Sequence, residues 1–222
     1  MILDRDQCIA IVGGTGSLGS AIGRRLARAG HRILIGSRSA ENAAAEAERI
    51  GHGAEGLGNA DAAAKADIIL VTVPFAAQDA TMRDIAPFVI GKIVVDTTVP
   101  LVPPRVMRVQ LPEEGSAALR AQAILGDGVR MVSAFHNVAA HKLAQDMDVG
   151  CDVLVFGDDK DARAVIIGLA HAIGLRGVHA GALANSAAAE AMTSLLIFIN
   201  KHYRVDGAGI VITGDLQMGD AG

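Results

Sequence analysis

The stretch that most constrains this chain is Cys8 to Arg38. An apolar run, Cys8-Ile9-Ala10-Ile11-Val12, passes directly into Gly13-Gly14-Thr15-Gly16-Ser17-Leu18-Gly19 and then into an amphipathic helix pattern. A second apolar run, Arg32-Ile33-Leu34-Ile35-Gly36, follows about 20 residues on. Strand, tight glycine turn, helix, strand is the opening of a doubly wound α/β sheet whose first turn binds a dinucleotide. In this reading Gly14 turns the backbone off the strand, Gly16 leaves no side chain between backbone and pyrophosphate, and Gly19 lets the helix lie close to the strand. The free N–H groups of Thr15, Ser17 and Leu18 at the helix start face the diphosphate. The plain alternative is a glycine-rich turn without a ligand.

The end of the second strand selects the cofactor. NAD sites place an Asp or Glu there for the ribose 2′-hydroxyl, but this chain reads Gly36-Ser37-Arg38-Ser39. Arg38 can fork onto a 2′-phosphate that a carboxylate would repel, with Ser37 and Ser39 adding hydroxyls. The expected cofactor is NADP, the alternative for Arg38 being a solvated surface position.

Composition narrows the class. The chain has 222 residues, 51% of them hydrophobic, a formal net charge of −4 and no basic cluster. One main domain with a small appendage fits that length, and nucleic acid and anionic membranes are not expected partners. No apolar run reaches the roughly 18 residues of a membrane span, and Met1 to Gln7 lack a signal-peptide plan, so the expected location is the cytoplasm. The two cysteines, Cys8 and Cys151, each open an apolar run and read as small core residues; no metal site is expected.

Further along, Ala40 to Ile50 reads as a helix and Gly53 to Gly58 as a short edge strand. A helix from Asn59 leads to the apolar run Asp67 to Pro74. That run suits a parallel strand covered on both faces, and Pro74 ends it at the carboxyl edge of the sheet, where Val73 and Pro74 meet the ligand. Helix Ala76 to Phe88 and strand Lys92 to Asp96 repeat the unit. Thr97 to Pro104 holds three of the six prolines and reads as a stiff cover over the cofactor or as a surface excursion. Strands are then expected at Gly128 to Phe135, Asp152 to Phe156, Gly177 to Ala180 and Ala208 to Thr213, with helices Lys160 to Ile173 and Asn185 to Tyr203. Gln217 to Gly222 is expected to fray.

The chain resembles the NADPH-dependent reductases of coenzyme F-420, an 8-hydroxy-5-deazaflavin carrier. The resemblance is carried by Gly13-Gly14-Thr15-Gly16 with Leu18-Gly19, by Gly36-Ser37-Arg38, Thr72-Val73-Pro74-Phe75, Ser133-Ala134-Phe135-His136 and Gly157-Asp158-Asp159, and by Ala180 to Ser186 with Glu190 and Thr193. The chain differs from the family pattern in having Ala139 after Val138, and Asn42 where a basic residue would approach the 2′-phosphate.

The resemblance implies an NADP-binding Rossmann domain over residues 1–150 and a small carboxyl-terminal α/β portion over 151–222 that closes a cleft around coenzyme F-420, in a chain expected to form a homodimer. Hydride would pass directly between the two rings, making catalysis mainly a matter of alignment. His136 would stand beside the deazaflavin as a modest general acid or electrostatic group, the alternative being a structural histidine capping the next helix. Val138, Ala140, Asn185 and Ser186 would line the same pocket, although Asn185 or Ser186 equally suits an N-cap. Ala191, Leu195, Leu196 and Ile199 suit core, dimer surface or pocket wall. Two other functions use the same residues: reduction of a flavin or other small acceptor, and non-catalytic NADP sensing.

Overall fold

The computed structural model describes residues 6–216, so the carboxyl-terminal residues 217–222 lie outside it. Eight strands form one sheet: β1 (Cys8–Val12), β2 (Arg32–Ser37), β3 (Glu55–Gly58), β4 (Ile68–Val71), β5 (Ile93–Asp96), β6 (Arg130–Ser133), β7 (Asp152–Gly157) and β8 (Arg176–His179). Their spatial order is β3-β2-β1-β4-β5-β6-β7-β8, with every pairing parallel except β6 with β7. This is the mostly parallel, doubly wound α/β architecture expected from the glycine turn and its flanking runs.

The helices are α1 (Ser17–Arg28), α2 (Ala40–Ile50), α3 (Asn59–Lys65), α4 (Phe75–Ile85), α5 (Ala117–Leu125), α6 (Ala140–Leu143), α7 (Lys160–Ala172) and α8 (Ser186–Tyr203). The sheet separates two apolar layers, and β1 shows why its run is continuously apolar. Ile9 and Ile11 join the layer containing Ile22, Leu26 and Ala43, whereas Cys8, Ala10 and Val12 join the layer containing Ala62, Met82 and Ala118. A strand covered on both faces has no solvent side for polar residues to occupy. Cys8 and Cys151 are free and buried.

Two sequence expectations change. Helix α5 falls where no element is expected; Ser116 caps it, its Oγ accepting from Leu119 N at 3.0 Å. The last expected strand, Ala208 to Thr213, does not form a ladder. Asp152 N donates to the Ile210 carbonyl at 2.7 Å, but the next donor, Ile212 N, is taken by the Asp152 carboxylate at 2.7 Å. Arg176 holds that carboxylate and reaches the Ile212 carbonyl at 2.7 Å. The segment therefore runs beside β7 on one backbone bond, its Ile212 groups being taken by side chains.

Strand β7 overlaps β6 through only two residue pairs, Val132 with Gly157 and Ser133 with Phe156. Since those are the carboxyl ends of both strands, the rest of β7, with β8 beside it, projects past the carboxyl edge of β6. Arg25 of α1 secures this side of the molecule by donating to the carbonyls of Leu143, Ile173, Gln145 and Met147.

Candidate functional site

The turn after β1 divides its labour among glycines differently from the sequence reading. Gly13, not Gly14, takes the left-handed conformation (φ 73°), and a Cβ there would lie 2.5 Å from Val73 Cγ1. Gly14 follows with ordinary φ; its N–H donates to the Gly36 carbonyl at 2.9 Å, and a Cβ would lie 2.6 Å from the Ile11 carbonyl. At Gly19 a Cβ would meet Thr72 Oγ1 at 2.4 Å, so this position sets the approach of α1 to the sheet. Gly16 differs from all three, since its nearest protein atom would be 3.4 Å away. Its missing side chain leaves space beside the exposed residues Thr15 and Ser17. Helix α1 starts there with no side-chain cap and no acid in its first turn, an arrangement that favours an anion. Leu18 packs against the core.

This turn borders a hollow of about 510 Å³ whose lining runs from Gly13, Thr15 and Gly16 through Ser37, Arg38, Ser39 and Asn42 to Asn59, Thr72, Val73, Pro74, Ala77 and Thr81. No carboxylate is among them. The exposed Arg38 makes no hydrogen bond or ion pair among the described residues, while Ser39 Oγ accepts from Asn42 N (3.2 Å) to cap α2. A free guanidinium beside two hydroxyls fits a 2′-phosphate, and the open space at Gly16 fits a pyrophosphate. Asn59, read from the sequence only as a helix start, also serves the turn: its Oδ1 accepts from Gly13 N at 3.2 Å and steadies it from α3.

A second group forms around His136, which is 7% exposed. The chain enters it through Phe135, a buried non-glycine residue at φ 68°, a conformation that usually costs of order 1 kcal/mol and clusters at functional sites. His136 Nε2 lies 2.9 Å from Ser133 Oγ, and burial pushes its imidazole down to about 4. Thr193 Oγ1 donates to the His136 carbonyl (3.1 Å), and Asn137 Nδ2 donates to the Ala189 carbonyl (2.9 Å) and Thr193 Oγ1 (3.0 Å). A smaller hollow of about 180 Å³ lies here against His136, Asn137, Val138, Thr193, Leu196 and Asn200.

The structure thus brings His136 and Val138 together but sets the other expected pocket residues apart. Ala140 begins the one-turn helix α6 and does not line that hollow. Asn185 folds back, Nδ2 on the Ala180 carbonyl at 3.3 Å, and Ser186 is buried with Oγ on Ser116 Oγ at 2.9 Å. Neither side chain caps α8, which is entered through a 3₁₀ turn, Leu183–Asn185. A third hollow of about 490 Å³ lies at the far end of α1, between Arg28 and Asp146, whose charges pair with one another. Among the described residues no cluster of His, Cys, Asp or Glu is placed to hold a metal ion, and no helix is long and apolar enough to cross a membrane.

Comparison with known proteins places these features in a family. Residues 8–100 match the family model described as NADP oxidoreductase, coenzyme F420-dependent. The F420-dependent NADP reductase of Methanothermobacter thermautotrophicus is 40% identical over 218 residues, covering 92% of this chain and 94% of that protein. Its counterpart from Methanocaldococcus jannaschii is 40% identical over 220 residues, covering 92% and 97%. A crystal structure from Arthrobacter sp. FB24, assigned as an F420-dependent NADP reductase, superposes with a TM-score of 0.80 at 21% identity, over 94% of this chain and all of that one. That likeness carries the fold; the identity to the archaeal enzymes carries the family, and the chain belongs to the F420-dependent NADP reductases.

Proposed function

We propose that this protein transfers a hydride between NADP(H) and coenzyme F-420. The observation that carries the NADP half is the hollow joining the open space at Gly16 to the unpaired Arg38, with no acid in its wall. When both cofactors are bound, carbon 4 of the nicotinamide and carbon 5 of the deazaflavin supply the chemistry. The chain's own residues bind, orient and exclude water. Gly14, Thr15, Gly16, Ser17, Leu18 and Gly19 present the turn and helix start to the pyrophosphate; Ser37 and Arg38 hold the 2′-phosphate; Val73 and Pro74 border the path toward the nicotinamide.

The acceptor half centres on His136 and Val138, beside Asn137, Thr193 and Leu196, with Ala140, Asn185 and Ser186 set outside it. A ring with its pKa near 4 is neutral at pH 7, so His136 acts as a hydrogen-bonding and aligning group and not as a general acid. Residues 1–150 serve the dinucleotide and 151–222 complete the acceptor pocket, a functional division across a shared sheet. Met192, Leu195 and Phe198 expose an apolar stripe on α8, which supports a homodimer, and the protein works in the cytoplasm on two diffusible cofactors.

The deciding experiment is a spectrophotometric assay of the purified protein with NADPH and the deazaflavin, with FAD and FMN in parallel. Consumption of NADPH with the deazaflavin alone supports the proposal. Equal rates with flavins would shift the reading to a general flavin reductase, and binding without turnover with any acceptor would make the protein a sensor.

A further inference from the structure

Three carboxylates are buried among the described residues: Asp96, Asp152 and Glu190. Asp152 is forked by Arg176. Asp96 and Glu190, 0% and 1% exposed, face no cation. Glu190 is instead held by a helix end: Oε2 accepts from Ala117 N at 2.6 Å and Oε1 from Ala118 N at 3.2 Å, the first two residues of α5. A negative charge there complements the helix dipole. Yet α5 already has a local cap in Ser116, and a buried charge is a costly way to satisfy two N–H groups that water would serve. What Glu190 adds is position, because it reaches α5 from α8, 73 residues along the chain.

The elements on either side carry the two halves of the site. Helix α5 is tied to α4 by Gln78, whose Nε2 donates to the Ala117 carbonyl (2.9 Å) and to Asp96 Oδ2 (2.7 Å), and by the forked pair Arg120–Asp79 at 2.7 Å. On α4, Ala77 and Thr81 line the dinucleotide hollow. On α8, the turn on either side of Glu190 supplies Ala189 and Thr193, which grip Asn137 and His136. Hydrogen bonds therefore link α4 to α5 and α5 to Glu190, and one turn of α8 carries the connection from Glu190 to the residues that hold the His136 loop.

We infer that Glu190 is a positioning residue: its grip on α5 sets α8, and with it the His136 loop, in register with the helix that borders the dinucleotide. This rests on the reading of the His136 hollow as the acceptor half. The groups facing Glu190 are the Ser186 hydroxyl from α8, the α5 amides and, electrostatically, Asp96 from β5. Burial and Asp96 hold Glu190 up at about 7, so the charge of the clamp changes near neutral pH.

The test compares Glu190→Gln with the unaltered full-length chain by amide hydrogen exchange, by NADPH affinity and by steady-state kinetics with the deazaflavin. Gln places a donor-only NH2 where one of the two carboxylate oxygens now accepts, so exchange should quicken by about tenfold, both at Ala117–Ala121 and at 136–143, with β1 and α1 unchanged. NADPH affinity should stay within about threefold while the deazaflavin KM rises by about tenfold and kcat changes less. Faster exchange confined to α5 would make Glu190 a cap only, and equal weakening of NADPH and deazaflavin would make it a general stabiliser; either overturns the inference. Thr193→Val supplies an independent arm: combined with Glu190→Gln it should loosen 136–143 no further than alone, and additive loosening refutes the route through Thr193. If exchange is coupled but the deazaflavin KM is unchanged, the acceptor reading of the His136 hollow falls, and the positioning role with it.

Discussion

The two halves of the cleft are built in opposite ways. The dinucleotide hollow is lined by one continuous region, Gly13 to Thr81, and its working groups are a glycine turn, a helix start and one free arginine. The His136 side joins the loop after β6, α8 and the segment at Gly207, and its Asn137 and Thr193 are already bonded across more than 50 positions of the chain. A phosphate group can be held by a local backbone shape, which a dozen residues encode. A planar, uncharged ring face has to be met by surfaces from several elements, so that half exists only once the fold is complete.

Substitutions on the two sides should therefore fail differently. The largest effect is expected at Gly16→Val, where a branched side chain enters the space kept for the pyrophosphate; NADPH binding should vanish by calorimetry while circular dichroism and thermal unfolding stay close to those of the unaltered chain. Retained affinity would remove the turn from the site. Next comes Arg38→Ala. A charge-assisted hydrogen bond contributes roughly 1.5–3 kcal/mol, so NADPH should weaken relative to NADH by about 10- to 150-fold. An unaltered protein that binds both cofactors equally would exclude a 2′-phosphate site at Arg38.

On the acceptor side, His136→Ala removes an aligning group and not an obligatory acid. Turnover should fall by about 10²-fold or less, the size expected when aligned reactants are misplaced, with NADPH affinity intact. Deuterium carried by labelled NADPH should appear in the reduced deazaflavin; label found in water would break the direct-transfer reading.

The smallest effect concerns pH and stability. Burial holds Asp96 up at about 6 and Glu190 at about 7, so the folded chain binds protons more tightly than the unfolded one, whose carboxylates titrate near 4. The stabilisation is complete below that value and is lost as pH rises through 6 to 7. Urea midpoints should fall steadily between pH 5 and pH 8, and Asp96→Asn should flatten part of that slope. A midpoint that instead rises across this window would contradict the raised values.

The same contrast decides what the sequence reveals. Helix α2 is read with its bounds intact because its signals are local: Ser39 at the cap, alanines on the buried face, Gly51 beyond the end. The glycine turn is legible for the same reason, although only coordinates show that Gly13 is the left-handed residue, since a run of adjacent glycines does not say which of them turns. Helix α5 escapes notice after the proline-rich stretch; its clearest signal is Gly115-Ser116 before an alanine run. The Ala208 to Thr213 pattern is right for a strand, yet the Asp152 side chain intercepts the ladder, a competition that periodicity cannot register. Asn59 and Glu190 act across 46 and 73 positions, and nothing near them in sequence marks the partner.

The two-pair overlap of β6 with β7 has a consequence for inheritance. Backbone pairing fixes the join at Val132, Ser133, Phe156 and Gly157, while the rest of the downstream part is attached through side chains: Arg25 on the Ile173 carbonyl, Glu190 on the α5 amides, and the shared apolar layer. Side-chain attachments can be rewritten one residue at a time, whereas a long ladder must be kept in register as a whole. A lineage that retains the glycine turn and Arg38 can thus exchange its downstream third, acquiring a new hydride acceptor without surrendering the nucleotide it already uses.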